Sequence, residues 1–206
     1  MIIKNVVVGP LDVNCFILGC EYTKEAAIID PGGDADKIIK TVEENELNPK
    51  FIINTHAHFD HVGAVKKVQE HFKIDFFLHK EDQFLIENLD EQSTAFGLDR
   101  VPEPEVNKSV KDGDKISLGQ NVIQVIHTPG HTPGGVCYYV ENSIFVGDTL
   151  FAGSVGRTDF PFSSQDALIT SIKEKLFQLG DGVVVYTGHG PSTTIGNEKR
   201  SNPFLT

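Results

Sequence analysis

Two hydrophobic periods alternate along this chain, and the points where they switch set the expected elements. Val6–Val8, Cys15–Leu18 and Ala26–Ile29 are short apolar runs parted by Gly9-Pro10 and Gly19-Cys20-Glu21, a pattern of consecutive strands and turns. Between Asp34 and Asn45 the period lengthens, and Ile38, Ile39 and Val42 fall on one face of an amphipathic helix. Phe51–Ile53 is again strand-like, Val62–Phe72 reads as a helix, Asp75–Leu78 as a strand and Glu81–Asn88 as a short helix. Three later runs, Val122–Ile126, Ser143–Gly147 and Val183–Gly188, each end in a glycine-rich turn. Gln165–Leu179 is the clearest helix, with Leu168, Ile169, Ile172, Leu176 and Leu179 inward and Ser163-Ser164-Gln165-Asp166 supplying its capping residues. Glu91–Asn107, interrupted by Pro102 and Pro104, follows neither period and is expected as a mobile flap over a site. Strands interleaved with helices, without repeat, low-complexity stretch or linker, predict a single α/β sandwich domain spanning residues 1–206.

Composition narrows the setting. A chain of 206 residues that is 39% hydrophobic and 23% charged can bury a core without disulfides. No apolar run approaches the ~20 residues of a membrane helix, and Met1-Ile2-Ile3-Lys4-Asn5 lacks the apolar core of a signal peptide. Cys15, Cys20 and Cys137 are odd in number and not spaced as a zinc knuckle, which fits reduced thiols in a cytoplasm. A net charge of −11 disfavours nucleic acid, whose phosphates call for a basic surface. The expected partner is a small-molecule substrate, with neither nucleic acid nor membrane; the oligomeric state stays open.

The chemistry concentrates in Thr55-His56-Ala57-His58-Phe59-Asp60-His61, directly after the Phe51–Asn54 run. His56 and His58 are two apart and point the same way on extended backbone. Asp60 and His61 fall where the chain turns into a helix. This spacing differs from the helical His-Glu-x-x-His zinc motif, which needs two histidines four apart on one helical face. The glycine-rich turns after the later strands add His131, Asp148 and His189, and strand ends presented by tight loops are where α/β scaffolds build sites. Seven ligand-type residues exceed one tetrahedral ion and suggest two divalent metals. His56, His58 and His131 would hold one ion, Asp60, His61 and His189 the other, and Asp148 could bridge them. A water shared by the two ions would lose its proton near neutral pH and serve as nucleophile, oriented by Asp60 as the catalytic carboxylate. His and Asp donors without Cys suit zinc foremost, with iron or manganese as alternatives. His71, His79 and His127 are expected outside the ligand set.

The pattern His-x-His-x-Asp-His, followed at long intervals by His, Asp and His, resembles the metallo-β-lactamase superfamily essentially end to end. The resemblance implies a four-layer αββα sandwich. Thr128-Pro129-Gly130-His131-Thr132-Pro133-Gly134, Gly156-Arg157-Thr158-Asp159-Phe160 and the tail from Gly188 to Lys199 look most like the small glyoxalase II-type hydrolases, implying cleavage of a thioester such as an S-2-hydroxyacylglutathione. The helical C-terminal domain of those enzymes has no counterpart after His189, which leaves the thiol carrier open. Asp148 stands where secreted β-lactamases of the superfamily carry Cys, which speaks against antibiotic hydrolysis. The resemblance also places Asp30 behind the metals, bonded to a ligand imidazole, with a turn-forming Asp as the other reading. Arg157 is the candidate substrate-binding residue, able to clamp a carboxylate of the carrier; the competing reading is an ion pair with Asp159. Persulfide dioxygenases share the Gly156–Phe160 stretch, and the alternative they imply is one Fe(II) on His56, His131 and Asp148.

Overall fold

The computed structural model describes residues 1–206. Its first half builds one sheet from β1 (Ile2–Val8), β2 (Val13–Gly19), β3 (Glu25–Ile29), β4 (Asn48–Ile53), β5 (Asp75–His79) and β6 (Lys108–Val110), hydrogen-bonded in chain order. The first three strands are antiparallel, joined by the turns that the glycines predict. From β3 onward the pairing is parallel, so each link must cross over the sheet, and helices do this. They are α1 (Ala35–Glu44) after β3, α2 (Phe59–Val62) and α3 (Val65–Phe72) after β4, and α4 (Gln83–Glu87) and α5 (Leu89–Ala95) after β5.

The second half repeats the logic. β7 (Lys115–Leu118), β8 (Asn121–His127), β9 (Val136–Val140) and β10 (Ser143–Gly147) form an antiparallel meander. After the small hairpin of β11 (Leu150–Phe151) and β12 (Ser154–Val155), helix α6 (Gln165–Glu174) returns the chain to β13 (Val184–Thr187), parallel to β10. The two-residue β14 (Thr193–Thr194) and α7 (Ile195–Ser201) close the chain.

Side-chain alternation sorts these strands into layers. Phe16, Ile29, Ile53 and Phe77 of the first sheet meet Val125, Tyr138 and Phe145 of the second in a core between the sheets. Their sequence neighbours Ile17, Ile28, Ile52 and Phe76 face the other way, against Ile38 and Val42 of α1 and Val65 and Val68 of α3. Across the molecule, Cys137, Ile144 and Val146 pack under Leu168, Ile172 and Leu176 of the α6 side. The result is a helix–sheet–sheet–helix sandwich whose central strands are apolar on both faces, which is why they read as continuous runs.

Four details depart from the sequence reading. The helix expected over Val62–Phe72 starts at Phe59 and breaks between α2 and α3, where Ala64 N donates to Pro31 O (2.9 Å) on another loop and Gly63 lets the Gly32 carbonyl approach closely. The helix expected to reach Leu179 ends at Glu174 and tightens into a 3₁₀ turn over Leu176–Gln178. The segment read as a flap contains α5 at its start, and no regular element follows until β6. Strands β6, β7, β9, β11, β12 and β14 and helix α7 lie outside the expected elements, α7 opening on Thr194, whose hydroxyl accepts from Asn197 N.

Candidate metal centre

β3, β4, β5, β8, β10 and β13 all end at one rim of the sandwich, and their following loops carry the candidate ligands there. Asp30 follows β3, His56–His61 follow β4, His131 follows β8, Asp148 follows β10 and His189 follows β13. The loops are tied across the two sheets. Tyr138 donates its hydroxyl to Asn54 O (2.8 Å), and Asn54 Nδ2 donates to His61 O (2.8 Å), closing the His56–His61 turn on itself. Asn14 Nδ2 donates to Thr187 O and Gly190 O, holding the His189 loop against β2. Asp30 takes a left-handed φ of 50°, uncommon for a non-glycine residue. That turn brings its carboxylate to Thr55 N (2.7 Å), Thr55 Oγ1 (2.6 Å) and His61 Nδ1 (3.0 Å).

Following the protons shows what the imidazoles aim at. His61 gives its Nδ1 hydrogen to Asp30, His131 to Arg157 O (2.8 Å) and His189 to Leu11 O (2.9 Å). Thr55 spends its hydroxyl hydrogen on Asp30, so His56 Nδ1 donates to Thr55 Oγ1 (3.1 Å). Each outer nitrogen is thus a donor to a fixed acceptor, leaving Nε2 of His56, His61, His131 and His189 as lone pairs turned inward. There they crowd one another: His61 Nε2 lies 3.3 Å from His189 Nε2, and His131 Nε2 lies 3.0 Å from His58 Nδ1. His56 Nε2, His58 Nε2 and Asp148 Oδ1 are buried with no hydrogen-bond partner. Converging lone pairs repel unless a proton or a cation sits between them. The donor set fits metal ions in two separate groups, His56–His58–His131 and Asp60–His61–His189, within each of which the ligand atoms lie within 4.8 Å of one another. Asp148 faces both, with its carboxylate 3.7 Å from His131 Nε2, 3.4 Å from His61 Nε2 and 3.6 Å from His189 Nε2.

Electrostatics agree. Burial depresses the basicity of His56 far below the usual imidazole value and that of His58 to about 3, so both stay neutral donors at pH 7. Burial opposes the charge of Asp148 and Asp60, yet the surrounding imidazoles together outweigh it, His61 foremost with His131 and His189 around Asp148 and His189 and His58 around Asp60, and hold both carboxyls low. Burial likewise opposes the charge on His61, but Asp148 and Asp60 outweigh it and draw its pKa well up. The pocket demands positive charge.

A second grouping, His79, Glu81 and His127, passes the same distance test and fails on orientation. The His79 and His127 rings stack at 4.3 Å and 14°. Lone pairs lie in the ring plane, so stacked rings cannot both meet an ion about 2.0–2.1 Å away. In the main centre the rings stand at 90°, 80° and 85° for the pairs among His56, His58 and His131.

Arg157 lines the cavity mouth, but its guanidinium is engaged by Asp159 through Nε (3.0 Å) and Nη2 (2.8 Å) and lies over the Phe160 ring. Its main chain is the part that reaches the centre, through the bond to His131. Sequence reasoning missed Asp82. Fully buried, it accepts from Ala57 N (3.2 Å), Thr132 Oγ1 (2.8 Å) and Gly134 N (2.6 Å), tying the His56–His58 loop to the His131 loop. Its one sequence signal is a carboxylate just past the end of β5, on the ligand-bearing rim.

The centre opens into a cavity of about 930 Å³. His58, Asp60, His131, Asp148 and His189 form its floor, and six phenylalanines line it, Phe59, Phe84, Phe96, Phe151, Phe160 and Phe162. No helix of the structure is long and apolar enough to cross a membrane.

Residues 8–189 match the metallo-beta-lactamase superfamily. Hydroxyacylglutathione hydrolase GloC of Haemophilus influenzae is 42% identical over 100% of this chain and 98% of its own. The crystal structure of BLEG-1, described as a B3 metallo-beta-lactamase, superposes with a TM-score of 0.93 at 38% identity, covering 100% of both chains. TTHA1623, crystallised in a di-iron-bound form, gives a TM-score of 0.90 at 39% identity over 98% of this chain and 100% of that one.

Proposed function

The chain belongs to the metallo-beta-lactamase superfamily, and on that premise we propose that it is a binuclear metal-dependent hydrolase of thioesters of the S-2-hydroxyacylglutathione type. The observation that carries this reading is the pair of interlocking donor groups, His56–His58–His131 and Asp60–His61–His189, with Asp148 facing both. A single ion would leave one buried group of lone pairs uncompensated. Two divalent ions would supply an acidified water and a polarised carbonyl. Zinc is the first expectation for this thiolate-free donor set, and iron is supported by the di-iron form of TTHA1623.

The chain's own residues do the rest. Asp30, Leu11 O, Arg157 O and Thr55 lock four imidazole tautomers, so Nε2 of each is the nitrogen presented to a metal. Asp60, with Oδ2 3.4 Å from His189 Nε2, presents a carboxylate at the cavity floor that can orient the attacking water and accept its proton. No further acid faces the reacting carbonyl from the floor. That suits a thiolate leaving group, whose conjugate acid has a pKa of about 8.5, better than an amine. The GloC resemblance supports glutathione as the carrier.

The test is purification without added metal, metal counting, and then hydrolysis of S-lactoylglutathione set against O₂ uptake with glutathione persulfide and β-lactam turnover. Two ions per chain with thioester hydrolysis are expected. One iron with O₂ uptake would replace the reading by a mononuclear oxygenase on His56, His131 and Asp148.

A further inference from the structure

The six phenylalanines are not scattered. Phe160 and Phe162 stack on each other at 5.8 Å and 8°, Phe84 meets Phe162 edge-on at 5.2 Å, and Phe59 meets Phe96 at 5.0 Å. The wall runs up to the metal centre itself: Phe160 and Phe162 lie 4.9 and 6.1 Å from the His58 ring, and Phe151 lies 6.3 Å from His189. Leu11, Leu85 and Val155 continue the apolar lining. The only cationic side chain on the lining, Arg157, is paired with Asp159, while Asn88, Glu91, Gln92 and Ser154 supply the polar part.

Glutathione carries two carboxylates and an ammonium, all strongly hydrated, and setting them against phenylalanine rings would strip that hydration without return. In a glutathione thioester the acyl group is the one part that can be apolar. A lactoyl group would leave most of a cavity of about 930 Å³ empty of apolar contacts. Resting on the thioester reading above, we infer that the acyl group this enzyme takes is large and apolar, an aryl or long alkyl 2-hydroxyacyl, packed against Phe84, Phe160 and Phe162. The peptide then leaves past the polar residues at the mouth.

Two measurements test this. With metal-loaded protein, kcat/KM for S-mandeloylglutathione should exceed that for S-lactoylglutathione by about tenfold or more, the discrimination an apolar pocket gives an extra hydrophobic group. Phe84→Ala and Phe162→Ala should each lower that ratio several-fold. Independently of turnover, S-benzylglutathione, a thioether that cannot be hydrolysed, should bind metal-free protein at least about tenfold more tightly than S-methylglutathione. Hydrolysis of both thioesters with a ratio near or below one, or equal binding of the two thioethers, overturns the inference and leaves the thioester reading standing. Hydrolysis of neither thioester, with benzyl-selective binding intact, overturns the thioester reading and keeps the apolar pocket.

Discussion

At residue scale, Asp60 separates ligation from chemistry. Asp60→Asn keeps an oxygen donor but removes the proton acceptor, so kcat should fall by about a hundredfold or more while KM moves little. Steady-state kinetics beside a metal count check it, and turnover within a few-fold of wild type with metal retained would remove that role. Asp82 lends itself to a pH experiment. Burial raises its carboxyl from 3.8 to about 6, outweighing its Thr132, Gly134 and Ala57 donors. A raised folded-state value means the stabilising contribution is complete below pH 3.8 and is lost as pH rises through about 6. The stability of wild type minus that of Asp82→Asn should therefore decline between pH 4 and 6, by at most about 3 kcal/mol at 1.36 kcal/mol per unit; urea titrations of metal-free protein measure it. Arg157→Ala should reduce activity on charged and uncharged thioesters alike, because the Arg157–Asp159 pair shapes the loop whose carbonyl holds His131. A rise in KM confined to charged substrates would instead make it a carboxylate clamp. The convergence of His56, His58, Asp60, His61, His131, Asp148 and His189 was legible because ligand chemistry resides in side chains. Leu11 and Arg157 act through main-chain carbonyls that any residue carries, so no sequence pattern announces them.

The elements read best were those with an unambiguous period. Helix α1 buries Ala35, Ile38, Ile39 and Val42, and α6 buries Leu168 and Ile172, because a single stripe must face the sheet. The doubly buried strands were equally plain. Failures came where contacts between distant segments overrule local pattern. The break between α2 and α3 falls where Ala64 N donates to Pro31 O, on a different loop, and α7 holds only Ile195 as an apolar anchor before Leu205 beyond it. Strand β9 follows a glycine-rich turn and is fixed by its neighbours β8 and β10. Gly63→Ala tests how closely the two loops must approach. A Cβ there meets backbone rather than a movable side chain, so the variant should lose about 1–3 kcal/mol in a denaturant melt. It should also lose metal affinity, because α2 begins within the ligand cluster. Wild-type stability in Gly63→Ala would show that the contact relaxes.

For the whole molecule, ligand binding to the folded state alone contributes about 4 kcal/mol at a thousandfold excess over Kd. In a chain of 206 residues each kcal/mol moves the melting temperature by about 2–4 °C. Stripping one ion should thus lower Tm by about 10 °C, and calorimetry with and without chelator checks it. The ligands also divide between the sheets in a fixed way. His56, His58, Asp60 and His61 hang from the first, His131, Asp148 and His189 from the second, and each proposed ion takes two residues from one and one from the other. A chain cut in the turn between Val110 and Lys115 would leave two fragments, neither with a complete set. Each alone should take up metal weakly, and mixing them should restore tight uptake only as the inter-sheet core re-forms. Occupancy of the centre would then record that the two halves of the protein have found each other.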